Sequence, residues 1–306
     1  MNKIAQIKNI INKTLNDMKD AKIVSISFCF GITDLIIQIN TNRTRTSLEV
    51  ASLIQFNLIT GINENKGIAN TPINCSILTT TEIKINSERI TFNPDHEPIQ
   101  FYTFIRLNKS AFRDKEFKYI FPHFLQKIEK NFEDCPVILH WNPSSFSLLI
   151  QYAGKSYTEL DKKLNKLDKI KIKPKGWIAE TSTYIAYAMK SIKNKKGQEE
   201  LILSPRNNCL NNEKLNAIIQ VKKINEEEWD FDYLKDIQIF NKKNLEKDQK
   251  KQKGNWMYRM GWFDLLQISN IESIYDLASE IMSFRNNDLL SNRVQTSTII
   301  SRIKGE

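Results

Sequence analysis

Two runs in this chain place an aspartate three residues after a glycine, just ahead of an apolar, strand-like stretch. They are Gly31-Ile-Thr-Asp34-Leu-Ile-Ile and Gly261-Trp-Phe-Asp264-Leu-Leu. A third run, Ser144-Ser-Phe-Ser147-Leu-Leu-Ile, carries serines at both positions. Each is followed, after a helix-like stretch, by alternating hydroxyls: Thr79 and Thr81, Thr181 and Thr183, Thr296 and Thr298. Glycine in a hairpin turn permits a positive φ that other residues resist. An aspartate just beyond it can accept hydrogen bonds from exposed turn amides or from the ammonium group of a ligand. Threonines two apart on a strand present their hydroxyls on one face, where each can donate and accept. Two readings stay open for each run. It is part of a binding surface for a small polar molecule, or the aspartates cap their turns and the threonines satisfy strand preference.

The elements that would position these residues recur with a period of roughly a hundred residues, too long for a solenoid unit and suited to a small domain. In the second copy, Gln100–Leu107 is rich in aromatic and β-branched residues and predicts a strand. Residues 115–132 carry Phe117, Phe121, Phe124, Leu125, Ile128 and Phe132 at steps of three and four, an amphipathic helix. Strands at 136–141 and 146–153 flank an Asn-Pro-Ser-Ser turn. A helix over 156–170 opens with Ser156 and Glu159 as a capping box, and a strand over 177–189 closes the unit. The order is β-α-β-β-α-β, a ferredoxin-like split βαβ unit. The third copy repeats it with strands at 215–221, 256–260, 263–268 and 294–303 and helices at 231–247 and 271–285. The first copy begins directly at a helix over 3–18, continues with strands at 23–30 and 35–39, a helix at 47–59 and a strand at 75–85, and lacks an opening strand. Residues 89–92 are a strand-like candidate to fill that edge. The expected fold is therefore α+β: three tandem units at 1–92, 99–190 and 213–306. The joint at 86–98 is loop-like, and the joint at 190–212 is basic and flexible.

Composition bounds the function. The 306 residues and 41% hydrophobic content support several cores. No apolar run approaches the ~20 residues that cross a bilayer, and the N-terminus has no apolar signal-peptide core. Cys29, Cys75, Cys135 and Cys209 lie far apart, without metal-ligand spacing or a neighbouring histidine, so no metal or cofactor is expected. Such cysteine usage fits a reducing cytoplasm. The net charge of +10 favours anionic partners, nucleic acid included, or reflects a solvated lysine-rich surface.

The hairpin and closing-strand pattern resembles the ligand-binding (RAM) domain of the Lrp/AsnC family. In that family the hairpin reads Gly-x-[aromatic or apolar]-Asp-Leu and the final strand Thr-x-Thr. Copy three matches at Gly261, Phe263, Asp264, Leu265, Thr296 and Thr298, and copy one at Gly31, Asp34, Leu35, Thr79 and Thr81. Copy two keeps Thr181 and Thr183 but has Ser144 and Ser147 at the turn. The resemblance implies an effector, commonly an amino acid, bound between modules by the hairpin and the Thr-x-Thr strand. It also implies modules that pair into homodimers or larger rings. The family's DNA-reading helix-turn-helix has no counterpart ahead of the first unit, so direct operator binding is not expected.

The expected function is thus a small-molecule sensor, regulatory or assembly protein, with Ser147 marking a degenerate second module. One alternative is an enzyme of the dimeric α/β-barrel type, similar to tetrapyrrole decarboxylases, for which His140 beside Trp141 is the notable side chain. Another is nucleic-acid binding through Lys162, Lys163, Lys166, Lys169, Lys190, Lys193, Lys195, Lys196 and the 247–253 run, with Tyr102 and Phe104 as stacking aromatics.

Overall fold

The computed structural model describes residues 3–16, 18–30, 35–64, 78, 80–83, 92–113, 115–142, 147–170, 178–197, 199–205, 215–223, 255–258, 265–271, 273–285 and 294–302. The first segment contributes α1 (Lys3–Asn16), β1 (Ala21–Cys29), β2 (Leu35–Thr41), α2 (Thr44–Glu64) and β3 (Thr81–Ile83). The second contributes β4 (Ile99–Leu107), α3 (Lys109–Arg113), α4 (Phe117–Asn131), β5 (Val137–Trp141), β6 (Leu148–Gly154), α5 (Tyr157–Asp168), β7 (Ile178–Lys193) and β8 (Glu199–Leu203). The third contributes β9 (Leu215–Lys223), β10 (Asn255–Tyr258), β11 (Leu265–Ile271), α6 (Ile274–Arg285) and β12 (Val294–Arg302). The protein is α+β. The third-segment helix expected at 231–247 and the strand-like stretch at 89–91 lie outside the described residues.

Eight strands form one antiparallel sheet in the order β2-β1-β7-β4-β6-β5-β3, with β8 paired to the far end of β7. Its central part, β7-β4-β6-β5, places the second segment's strands in the order fourth, first, third, second. The other sheet, β12-β9-β11-β10, repeats that order for the third segment. Among the described residues, the first segment makes no sheet of its own. Its hairpin joins one edge, where Ser27, Phe28 and Cys29 pair with Ala188, Tyr187 and Ala186. Its strand β3 joins the opposite edge, where Thr81, Glu82 and Ile83 pair with Trp141, His140 and Leu139. The open edge of the first segment's hairpin is satisfied by β7, because an unpaired row of amides and carbonyls is costly to leave open.

Two expectations change. The described part of the joint, up to residue 205, holds a hairpin: β7 runs past residue 190 and turns at Asn194 through Gly197 into β8, whose Leu201 and Leu203 are buried. Asn194 accepts the Lys196 amide on its side-chain oxygen (3.0 Å), and Gly197 takes the positive φ (73°) that the tight reversal needs. The run of lysines hides this hairpin in the sequence. The short helix α3 is also absent from the sequence-based expectation, since five residues carry no periodicity.

Helices cover one face of the large sheet. Phe101, Ile105, Ile150 and Tyr152 point to that side and meet Ile128, Phe132, Tyr157 and Leu160 of α4, α5 and their flanks. The Phe132 and Tyr152 rings lie 4.6 Å apart between centroids, and those of Phe101 and Tyr157 lie 5.7 Å apart. Over the hairpin, α1 and α2 bring Ile11, Leu15, Val50, Ile54 and Leu58 onto Ile23, Ile37 and Ile39. Ser156 opens α5 by accepting the Glu159 amide (3.4 Å), as the capping signature predicts. Below the second sheet, Ile274, Leu277, Ala278 and Ile281 of α6 fill the space under Leu215, Ala217 and Ile219. They join the same core as Tyr187, Leu201 and Leu203, with Tyr275 edge-on to Tyr187 at 5.8 Å.

Candidate functional site: the inner face of the curled sheet

The opposite face of the large sheet mixes polar side chains with a small apolar cluster of Cys29, Tyr102 and Ala186, and the sheet curls around it. In a flat sheet β2 and β6 would lie four strand spacings apart, roughly 19 Å. Here the Gln151 Nε2 of β6 donates to the Gln38 Oε1 of β2 at 3.3 Å. Only strong curling brings these strands within a hydrogen bond.

Strand register arranges this face in rows. One row runs Glu82, His140, Leu149, Phe104 and Ser182 across β3, β5, β6, β4 and β7. The next runs Ile138, Gln151, Tyr102 and Tyr184, and the one beyond it Ala153, Gln100, Ala186 and Cys29. Exposure falls along this sequence. Glu82 and Ser182 are exposed and Phe104 and Leu149 half-buried, while Gln151 and Gln100 are each only 1% exposed. The face is thus open at the Glu82 row and closed at the Gln100 row.

Its depth is a connected hydrogen-bond network. Tyr102 donates its phenol proton to the Gln100 Oε1 (2.5 Å), which also accepts from the Ser27 hydroxyl (2.9 Å). Gln151 donates to the Tyr102 oxygen (3.4 Å). Ser25 donates to Gln38 (3.3 Å). His140 hydrogen-bonds with Gln151, and its Nδ1 lies 3.3 Å from the Thr80 hydroxyl. Burial pushes the Tyr102 phenol above its ordinary range, so it stays a neutral donor. Burial likewise holds His140 below the usual imidazole range, against the opposing pull of the Gln151 bond and the Glu82 charge. A neutral imidazole, a neutral phenol and two amides can recognise a polar molecule, and a histidine beside a carboxylate can exchange protons.

The residues singled out by sequence fall elsewhere or outside the described set. Gly31, Asp34, Thr79, Gly261 and Asp264 lie outside the described residues. Thr81 is in β3 opposite Trp141, while Thr296 and Thr298 are in β12 opposite Val221 and Ile219. Thr181 and Thr183 share the helix-covered face, where the Thr183 hydroxyl meets that of Thr103 at 3.0 Å. Ser147 is buried, accepts the Leu107 amide on its hydroxyl (3.1 Å) and so ties the start of β6 to the end of β4. The network residues Gln100, Gln151 and Ser27 escape sequence reading, and Tyr102 enters it only as a stacking aromatic. The available signal is polar residues recurring at every second place in otherwise apolar strands, as in Gln100-Phe-Tyr102 and Ser25-Ile-Ser27.

No protein-family model matches this chain, and no curated protein does. Among solved structures, a heme-binding protein from Thermus thermophilus aligns with 73% of this chain and 92% of its own at 7% identity. The TM-score is 0.25, so the likeness carries no weight for fold or ligand.

Lys127, Lys130, Asn131, Lys169 and Ile170 line a shallow cleft on the outer side of the helices. Lys163 does not contribute to it as a free charge. It is buried, pairs with Asp134, and donates to the Asn131 carbonyl at 3.3 Å. The Lys163 ammonium holds the Asp134 carboxyl below its usual range, which marks a brace between α4 and α5. Cys135 beside it is pushed up to about 12 by burial and is a thiol at neutral pH. Among the described residues no group of three His, Cys, Asp or Glu side chains is placed to hold a metal ion, and no helix is long and apolar enough to cross a membrane.

Proposed function

We propose that this chain is a small-molecule-binding regulatory or assembly protein built from ferredoxin-like units of the Lrp/AsnC ligand-binding type, and that it recognises its ligand on the inner face of the curled sheet. The fourth-first-third-second strand order, present in two segments, is that of the split βαβ unit and supports the fold half of this reading. The observation that carries the binding half is the graded inner face, open at Glu82 and Phe104 and lined below by the Gln151–Tyr102–Gln100 network. Polar groups at the base of a partly apolar concavity are the usual means of orienting a small ligand. A thermal-shift screen with the twenty amino acids and common nucleotides, run beside a mass measurement in solution, tests it. Specific stabilisation that disappears in Gln151→Leu supports the reading. A screen in which no compound shifts the melting temperature removes it.

The second reading is a tetrapyrrole decarboxylase-like enzyme. Its support is that His140 reaches this face while His96 and His123 are exposed elsewhere. A visible absorbance band on adding a tetrapyrrole, lost in His140→Ala, would favour it over the sensor.

A further inference from the structure

The outer face of α4 and α5 carries a second patch, on the side of the molecule away from the inner face of the sheet. We infer that this patch binds a single-stranded nucleic acid, with phosphates on Lys127, Lys130 and Lys169 and a base stacked on Tyr119. The inference is independent of the small-molecule reading. Tyr119, His123, Lys127 and Lys130 follow one another at steps of four, four and three, so they share one face of α4, and all four are exposed. Lys169, the residue that ends α5, meets this row across the cleft that Lys127 and Lys130 line. Lys166 and Lys162, exposed one and two turns back along α5, extend the positive charge beyond it.

Charge selects the sign. Among the described residues Lys127, Lys130 and Lys169 enter no ion pair, whereas Lys8, Arg45, Arg106, Lys163 and Lys190 all do. Like charges gathered around one cleft repel each other, and a polyanion relieves that repulsion. Asp134 is held by Lys163, and exposed Glu133 and Asp168 do not line the cleft. The aromatic selects the class. Tyr119 is 64% exposed, and the Lys118 ammonium lies 4.8 Å from its ring centre. Exposed rings beside cations are how sequence-tolerant single-strand sites take base and backbone together. Tyr102 and Phe104, the aromatics that the sequence offered for stacking, are buried and half-buried on the inner face and do not serve this surface. From Tyr119 to Lys130 the row spans roughly 16 Å along the helix. That is about five nucleotides of a stacked strand, more than a mononucleotide or a small phosphate covers. A duplex keeps its base faces covered and uses the lysines alone.

A fluorescent twelve-nucleotide oligothymidylate is the probe, with a duplex of the same length and inorganic tripolyphosphate as controls. Fluorescence anisotropy with the full chain should show binding of the single strand, its log affinity falling against log salt with a slope of about −2, as three phosphate contacts require. The combined variant Lys127→Gln, Lys130→Gln, Lys169→Gln should lose most of that slope and bind more than about tenfold more weakly at low salt. Tyr119→Leu should weaken binding about tenfold at every salt concentration and leave the slope unchanged. Lys195→Gln with Lys196→Gln, exposed lysines on the β7–β8 turn, should change neither quantity, and all variants should melt with the native chain. No binding of the single strand at low salt, or undiminished binding by the triple variant, would overturn the inference. So would duplex or tripolyphosphate binding as tightly as the single strand, or a Tyr119→Leu variant that binds like the native chain, since the lysines would then be attracting any polyanion.

Discussion

His140 is a buried imidazole held neutral by its surroundings, and this makes it sensitive to acid. Its folded pKa lies below the unfolded value of 6.5 because burial penalises the charged ring. As pH falls below about 6.5 the unfolded chain takes up the proton first, so stability is full above that value and declines through the folded pKa. Melting temperatures between pH 8 and 5 should therefore fall for the native chain and stay flatter for His140→Gln. Gln151 is the hub of the same face, bonded to Gln38, Tyr102 and His140. Gln151→Leu removes bonds to buried Tyr102 and His140 and to half-buried Gln38, and should cost about 1–3 kcal/mol in urea denaturation. A smaller loss would mean that the inner face relaxes and admits water. The side chains that sequence spacing favoured, Thr181 and Thr183, instead face the helices. There the Thr183 hydroxyl is engaged with Thr103, at the edge of the core.

At the scale of elements, α4 and α5 are stabilised by different means, and each gives a test. Ser156 caps α5, so Ser156→Ala should cost about 1 kcal/mol. Helix α4 carries Pro122 beyond its first turn, where the missing amide leaves the Lys118 carbonyl without its helical donor. Pro122 is exposed, and Pro122→Ala should stabilise the protein by about 1–2 kcal/mol, the restored bond being partly offset by a freer unfolded chain. A neutral or destabilising result in chemical denaturation would show that the proline ring packs usefully at the helix surface. The apolar periodicity of α1, α4, α5 and α6 is plain in the sequence because each has one core-facing stripe. Strand β8 is not plain, because five residues after a run of lysines read as linker until β7 pairs with them.

For the whole molecule, the question is how far the segments depend on one another. Helix α6 belongs to the third segment, yet Leu277 and its neighbours share one core with Tyr187, Leu201 and Leu203. Leu277→Ala should cost about 2–5 kcal/mol and lower the stability of both sheets together, read as a single shifted transition by circular dichroism and by hydrogen exchange at β7. A third segment that melts alone would show that the shared core is energetically weak. The first segment spans the large sheet, its hairpin on one edge and β3 on the other. Closing that path brings Gln38 within reach of Gln151 and creates the concavity.

By itself, the sequence determined the α+β class, the positions of most helices and strands, and the strand-helix order of the second segment. These follow from local propensity and from periods of 3.6 and 2, which a chain carries at every residue. Only the tertiary structure decided that the first segment's strands would be split between two edges, and that Gln100, Tyr102, Gln151 and His140 would meet on one inner face. Ser27 pairs with Ala188 across more than half of the chain, and the Gln38–Gln151 bond joins residues 113 positions apart; partners so distant leave no periodic trace. They are chosen when open edges find amides to satisfy and buried polar groups find one another.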